Sequence, residues 1–153
     1  MDADRGDKPQ AVLFACSLNA VRSPMAAGIL GHLAHGRIRV ASAGVRAGLP
    51  DPLAARVMRE IGVDVSRHKP CAIRDLDDPD FDLVVTLSPE AHHQALELTR
   101  TLPVRVEYWP TLDATILRGE ASEEQILANY RVVRDHLFRR IKQRFGFDGG
   151  VSV

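Results

Sequence analysis

The chain has 153 residues, 20 Lys and Arg against 20 Asp and Glu, and two cysteines. That length buries about 68–70% of the surface of the unfolded chain, so one core suffices without a metal or disulfide to hold it. Zero net charge excludes a broad electrostatic grip on nucleic acid or an anionic membrane, and no run approaches the roughly 20 apolar residues of a membrane span. Any anion site is then local, and both cysteines are expected as free thiols of a cytoplasmic protein.

Residues 1–10 are polar, lack the apolar core of a signal peptide, and are expected as a flexible tail ahead of a single domain over 11–145. Ala11 to Cys16 is apolar on both faces, as a buried strand of a parallel sheet is. Ser23 and Pro24 suit the N-cap and first position of a helix, in which Met25, Ile29, Leu30, Leu33 and Ala34 repeat at helical spacing until Gly36. Arg37 to Ala43 reads as a second strand ending at Gly44, and Pro52 to Ile61 as a helix stopped by Gly62. Asp82 to Leu87 is a third strand, followed by a helix from about Pro89 to Thr101. Pro103 to Tyr108 makes a fourth. After a long loop Ser122 opens a final helix, with Glu124 and Gln125 near its first turn and Ile126, Tyr130, Val133, Leu137 and Ile141 as its buried stripe. Its arginines in "RVVRDHLFRRIKQRF" read as a solvated face, and residues 146–153 as a loose tail. The alternation predicts an α/β fold, a four-stranded parallel sheet flanked by helices on both faces, with ligands bound beyond the carboxyl ends of the strands. Cys16 and Asp113 both lie at or beyond such ends.

The stretch "CSLNAVRSP" joins the first strand to the first helix. A loop in that place directs several backbone N–H groups at one point, and the helix dipole adds about half a positive charge there. The amides of Ser17, Leu18, Asn19, Ala20, Val21 and Arg22 would form an anion cradle. A cysteine at its first position sits beside those donors, which favours the thiolate and makes Cys16 a nucleophile. Arg22 closes the loop with a planar fork that fits two oxygens of a tetrahedral oxyanion. Ser23 can offer its hydroxyl to the thiolate or to the helix end, and Asn19 tolerates the left-handed backbone that a tight cradle needs.

"CSLNAVRSPMA" resembles the phosphate-binding loop of the low-molecular-weight protein tyrosine phosphatases and the related thioredoxin-coupled arsenate reductases, whose pattern is Cys-x-Gly-Asn-x-Cys-Arg-Ser-Pro-Met-Ala. "ASAG" at 41–44, "GVDVSRHK" at 62–69, "DLVVTLS" and "YWPTLDAT" at 108–115 extend the resemblance, in order, through nearly the whole chain. It implies that Cys16 is the nucleophile, Arg22 the phosphate and transition-state clamp, and Ser23 the hydrogen-bond partner of the thiolate. Asn19, Ser42 and His68 match the polar network that supports the loop from behind; without the family His68 would pass for an exposed helix-end histidine. The family's general acid is an aspartate after the fourth strand, and Trp109-Pro110-Thr111-Leu112-Asp113 reproduces the tryptophan-to-aspartate spacing of the reductase branch, making Asp113 the candidate.

Three departures accompany the resemblance. Leu18 replaces the loop glycine, Val21 replaces the second loop cysteine, and the aromatic residues that frame a phosphotyrosine ring are missing, with Gly48 near one such place and Ala114, Thr115 and Ile116 after the acid. The reading is a cysteine-dependent phosphomonoester hydrolase with a phosphocysteine intermediate, acting on a phosphorylated protein or a small phosphomonoester with no metal or other cofactor. Two other readings stand beside it. Arsenate reduction would need an external thiol, because Cys71 is the only other cysteine and Thr86-Leu87-Ser88 offers none after the third strand. A phosphate- or phosphoprotein-binding module would keep the cradle and lose turnover. Trp109 and Tyr108 read as exposed aromatics near the site mouth that could mediate self-association, so a monomer or weak homodimer is expected.

Overall fold

The computed structural model describes residues 8–117 and 121–147. Four parallel strands, β1 (Ala11–Cys16), β2 (Arg39–Gly44), β3 (Leu83–Thr86) and β4 (Arg105–Tyr108), form one sheet in the order β2-β1-β3-β4. The helices α1 (Arg22–Ala34), α2 (Pro52–Arg59) and α3 (Pro89–Leu98) connect the strands and α4 (Glu123–Phe145) follows β4, with 3-10 turns at Ile73–Asp75 and Ala114–Ile116. The expected α/β sheet with helices on both faces is present, and the tails fall largely outside the described residues.

Alternation along β1 divides the core. Val12, Phe14 and Cys16 point into a cluster with α1, α2 and α4, whereas Leu13 and Ala15 point to the opposite face, where α3 and Ile73 pack. Burial on both faces explains why the strand lacks polar positions. The chain leaves β1 toward β2 on one side and reaches β3 on the other, so the carboxyl end of β1 lies at the point where the strand order reverses.

Local details differ from the expected boundaries by a few residues. Helix α1 begins at Arg22 and Val21 takes the N-cap without a side-chain hydrogen bond, because the Ser23 hydroxyl is used elsewhere. It ends at Ala34, with His35 in the left-handed conformation ahead of Gly36. Helix α4 has the anticipated capping box, Ser122 accepting from Gln125 N and Gln125 Oε1 accepting from Ser122 N. Its stripe is buried through Tyr130, Val133, Leu137 and Ile141, but Leu127 and not Ile126 starts it. Arg134 departs from the solvated-face reading: it is 8% exposed and donates to Val57 O and to Glu60 and Asp135, tying α4 to α2.

Trp109 corrects a second expectation. It is buried, edge-on to Phe14 and near Phe145, with the Arg140 guanidinium 4.8 Å from its ring centroid. The turn after β4 swings its indole into the gap between β1 and α4, so it fills core space and is not an exposed aromatic at the site mouth. Tyr108 stacks on His92 at 4.5 Å between centroids. Among the described residues no helix is long and apolar enough to cross a membrane.

Candidate active site

Cys16 ends β1 with its sulfur inside the fold, 2% exposed. Ser23 Oγ lies 2.9 Å from Cys16 Sγ, and Ser23 N–H points at the same sulfur from 3.4 Å. Donors at the start of α1 thus meet the sulfur and stabilise negative charge on it. Asn19 Nδ2 donates to Ser23 Oγ at 2.8 Å. With that lone pair occupied, the serine's single hydrogen is left for an acceptor, and the sulfur is nearer than Ala43 O at 3.4 Å.

Asn19 is the hub of the loop. Its backbone adopts φ 55°, the left-handed region, and it is fully buried. Nδ2 also donates to Ser42 Oγ at 2.9 Å, Oδ1 accepts from Cys71 N at 2.9 Å, and its carbonyl lies 2.8 Å from His68 Nε2. The structure brings Asn19, Ser42 and His68 together, with the Cys71 amide beside them. From the other side the carbonyls of Cys16, Ser17 and Leu18 accept from the N–H groups of Val45, Arg46 and Gly48. This close approach requires Gly44: a Cβ there would lie 2.6 Å from Arg46 O and 2.8 Å from Asn19 N. Leu18 fits with its side chain directed outward, 44% exposed. Val21 is 7% exposed and joins the core cluster.

A cleft of about 920 Å³ opens over the loop, and Cys16, Ser17, Ala20, Val21, Arg22 and Asp113 are among its lining residues. Arg22 Nη1 donates to Thr111 O at 3.1 Å, joining the cradle to the loop that carries Asp113. Asp113 is exposed; its Oδ1 accepts from Thr115 N at 2.9 Å and Thr115 Oγ1 at 2.7 Å, capping the 3-10 turn. Asn129 of α4 holds that turn by donating to Ala114 O.

The sequence reading did not find several other residues of the cleft. Arg46, just past β2, pairs with Glu90 in the first turn of α3 and, with Ser17, holds the Glu90 carboxyl below its usual range. Tyr130 OH donates to Asp51 Oδ2 at 2.6 Å, while Asp51 Oδ1 caps α2. These pairs span 44 and 79 positions, and no local pattern announces them.

Cys71 lies elsewhere. Its carbonyl accepts from Gly44 N at the outer edge of β2, two strand spacings or about 9–10 Å from Cys16, and it packs with the cluster on the opposite face. A disulfide joins Cα atoms roughly 4.4–6.8 Å apart, so the pair does not meet in this fold. Burial pushes the Cys71 thiol up, and Asp75 and Asp77 add to the effect. Among the described residues no group of three or more His, Cys, Asp or Glu could hold a metal ion.

At the carboxyl end of the central strand of a parallel sheet, a cysteine thus heads a strand-to-helix loop that a polar hub supports from behind and an arginine closes. Residues 11–143 match the low molecular weight phosphotyrosine protein phosphatases, and the chain belongs to that family. It is similar to an arsenate reductase of Bacillus licheniformis, 35% identical over 137 residues that cover 86% of this chain and 92% of that protein. A solved arsenate reductase in the phosphate binding state is 27% identical with a TM-score of 0.67, covering 90% of this chain and 97% of that one. A mutant of YwlE from Bacillus subtilis, 21% identical with a TM-score of 0.70 over 88% of this chain and 95% of its own, shares the fold.

Proposed function

We propose that the chain is a cysteine-dependent phosphomonoester hydrolase working through a phosphocysteine intermediate. The observation that carries this reading is the meeting, in one cleft, of the Cys16 sulfur under its Ser23 donors, the Arg22 guanidinium and the Asp113 carboxyl. Cys16 attacks phosphorus in line, while the loop N–H groups from Ser17 to Arg22 and the guanidinium fork hold the equatorial oxygens. Asp113 gives its proton to the departing ester oxygen as that bond breaks. The same carboxylate, now ionised, takes a proton from water, whose oxygen attacks the phosphocysteine and frees phosphate and the thiolate. Ser23 donates to the sulfur when it leaves, and Asn19, Ser42 and His68 fix the loop in the shape that both steps require. The substrate is a phosphorylated protein or small phosphomonoester, and the enzyme is a cytoplasmic unit over 11–145, a monomer or weak homodimer. A pure binding module would need the cradle and Arg22 but neither a nucleophile nor a proton donor.

Arsenate reduction is the second reading, favoured by the names of two relatives about a third identical to this chain. The first attack would be the same. The chain has two cysteines, and the far placement of Cys71 leaves the Cys16–arsenic adduct to be broken by an external thiol. The test is p-nitrophenyl phosphate hydrolysis from acidic to neutral pH, run beside arsenite release from arsenate with glutathione as the thiol. Ester turnover that Cys16→Ser abolishes supports the hydrolase; arsenite release without ester turnover supports the reductase; phosphate binding with neither supports the module.

A further inference from the structure

Three carboxylates, Asp51, Glu90 and Asp113, line the cleft over Cys16, and negative charge there opposes a bound oxyanion unless something answers it. Dipoles answer Asp51: one oxygen accepts from Tyr130 OH at 2.6 Å, the other from the N–H groups of Leu53 and Ala54 at the start of α2. Asp113 accepts from Thr115 N and Oγ1, and as general acid it carries a proton before the first step. Glu90 meets a full positive charge. Arg46 Nη1 lies 2.5 Å from one of its oxygens and Nη2 3.4 Å from the other.

This pair is fastened to the phosphate loop at one residue. Ser17 O accepts from Arg46 N–H at 3.0 Å, and the Ser17 hydroxyl lies against both Ser88 Oγ, at 3.1 Å, and the Glu90 carboxyl. Ser88 is buried and caps α3 by accepting from Ala91 N, so Glu90, in the first turn of that helix, has a fixed place beside the loop. Arg46 and Glu90 are both about half exposed, and an exposed ion pair adds little to stability. Position in the cleft gives it another use. We propose that Arg46 is a positioning residue for the bound oxyanion: it holds the Glu90 carboxylate in a pair, so that this charge does not oppose an anion at Cys16, and thereby sets the affinity of the cradle. The inference rests on the cradle of the hydrolase reading and goes beyond it by assigning residues outside the loop. Glu90 in turn keeps Arg46 on the α3 wall, and without it the guanidinium is an added positive charge in the cleft. The two side chains therefore act on a bound anion with opposite sign, which a merely structural tie would not do.

The test is calorimetric titration of inorganic phosphate into the full chain at low ionic strength, for the wild type, Arg46→Gln, Glu90→Gln and the double variant. Arg46→Gln should bind phosphate about tenfold more weakly and Glu90→Gln about threefold more tightly, as a unit charge near the site requires. Arg46→Gln/Glu90→Gln should return to within about twofold of the wild type. Each difference should shrink as salt approaches about 1 M, where the Debye length falls to about 3 Å. If the pair only ties α3 to the loop, both single variants bind more weakly and the double variant stays weak, a result that overturns the proposal. Unchanged affinity in Arg46→Gln overturns it as well. A wild type that binds phosphate without hydrolysing p-nitrophenyl phosphate is a failure of the hydrolase reading alone, because the binding series is read without turnover. A wild type that binds no phosphate overturns both.

Discussion

Cys16 and Cys71 lie two strands apart and sit in opposite surroundings. Cys16 caps the central strand, its sulfur facing a helix start where Ser23 supplies both a hydroxyl and an N–H. Cys71 runs along the outer edge of β2 on the other face; burial and two nearby aspartates raise its thiol, and its backbone N–H, not its sulfur, serves the loop by donating to Asn19. The difference teaches that a thiol becomes a nucleophile through the donors aimed at it. The same side chain, half-buried and near two carboxylates, is held in the protonated form.

Substitutions can break this contrast, beginning with the largest effect. Cys16→Ser should lower turnover of p-nitrophenyl phosphate by at least about 10⁴-fold in steady-state kinetics, as loss of a nucleophile does. Asp113→Asn should lower kcat by about 10²- to 10⁴-fold, the range for a general acid, while phosphate still binds in a competitive inhibition assay. Gly44→Ala should move the loop away from Asn19, cost roughly 1–3 kcal/mol by overpacking, and reduce activity with the fold retained by circular dichroism. Asn19→Ala leaves the acceptors Ser23 Oγ and Ser42 Oγ and the Cys71 N–H donor without their partner and should cost about 1–3 kcal/mol, read as a lower Tm. Cys71→Ala should leave kcat within about twofold, because only its backbone contacts the loop. Alkylation sharpens the comparison. A thiol whose value is raised above the usual 9.0 is protonated below it and gains thiolate only as pH rises past it, so iodoacetamide should modify Cys71 only at higher pH, read by peptide mass spectrometry.

Much of this architecture is local and therefore visible in the chain. The apolar runs of β1 and β3, the Ser122 and Gln125 capping box and the Cys-to-Arg loop each depend on residues close in sequence. The hub was legible only through family resemblance: nothing near His68 or Ser42 says that both will reach Asn19. Trp109 was misread as an exposed aromatic at the site mouth because it stands in the loop of the candidate acid, and the direction of its side chain is set by a turn whose partner, α4, begins 14 residues later. Arg134 looked solvated among its neighbouring arginines and is buried because Val57 O and Glu60, over 70 positions away, receive it. Gly44 was visible as a strand end, but its close approach to the loop backbone is a tertiary fact.

The central claim is that phosphoryl transfer passes through the Cys16 sulfur, and acid-quenched mass spectrometry tests it most directly. Asp113→Asn mixed with p-nitrophenyl phosphate should accumulate protein carrying one phosphoryl group on the peptide that contains Cys16, with none in the Cys16→Ser/Asp113→Asn double variant. A phosphoryl group on another residue, or continued ester turnover by Cys16→Ser, would contradict the account.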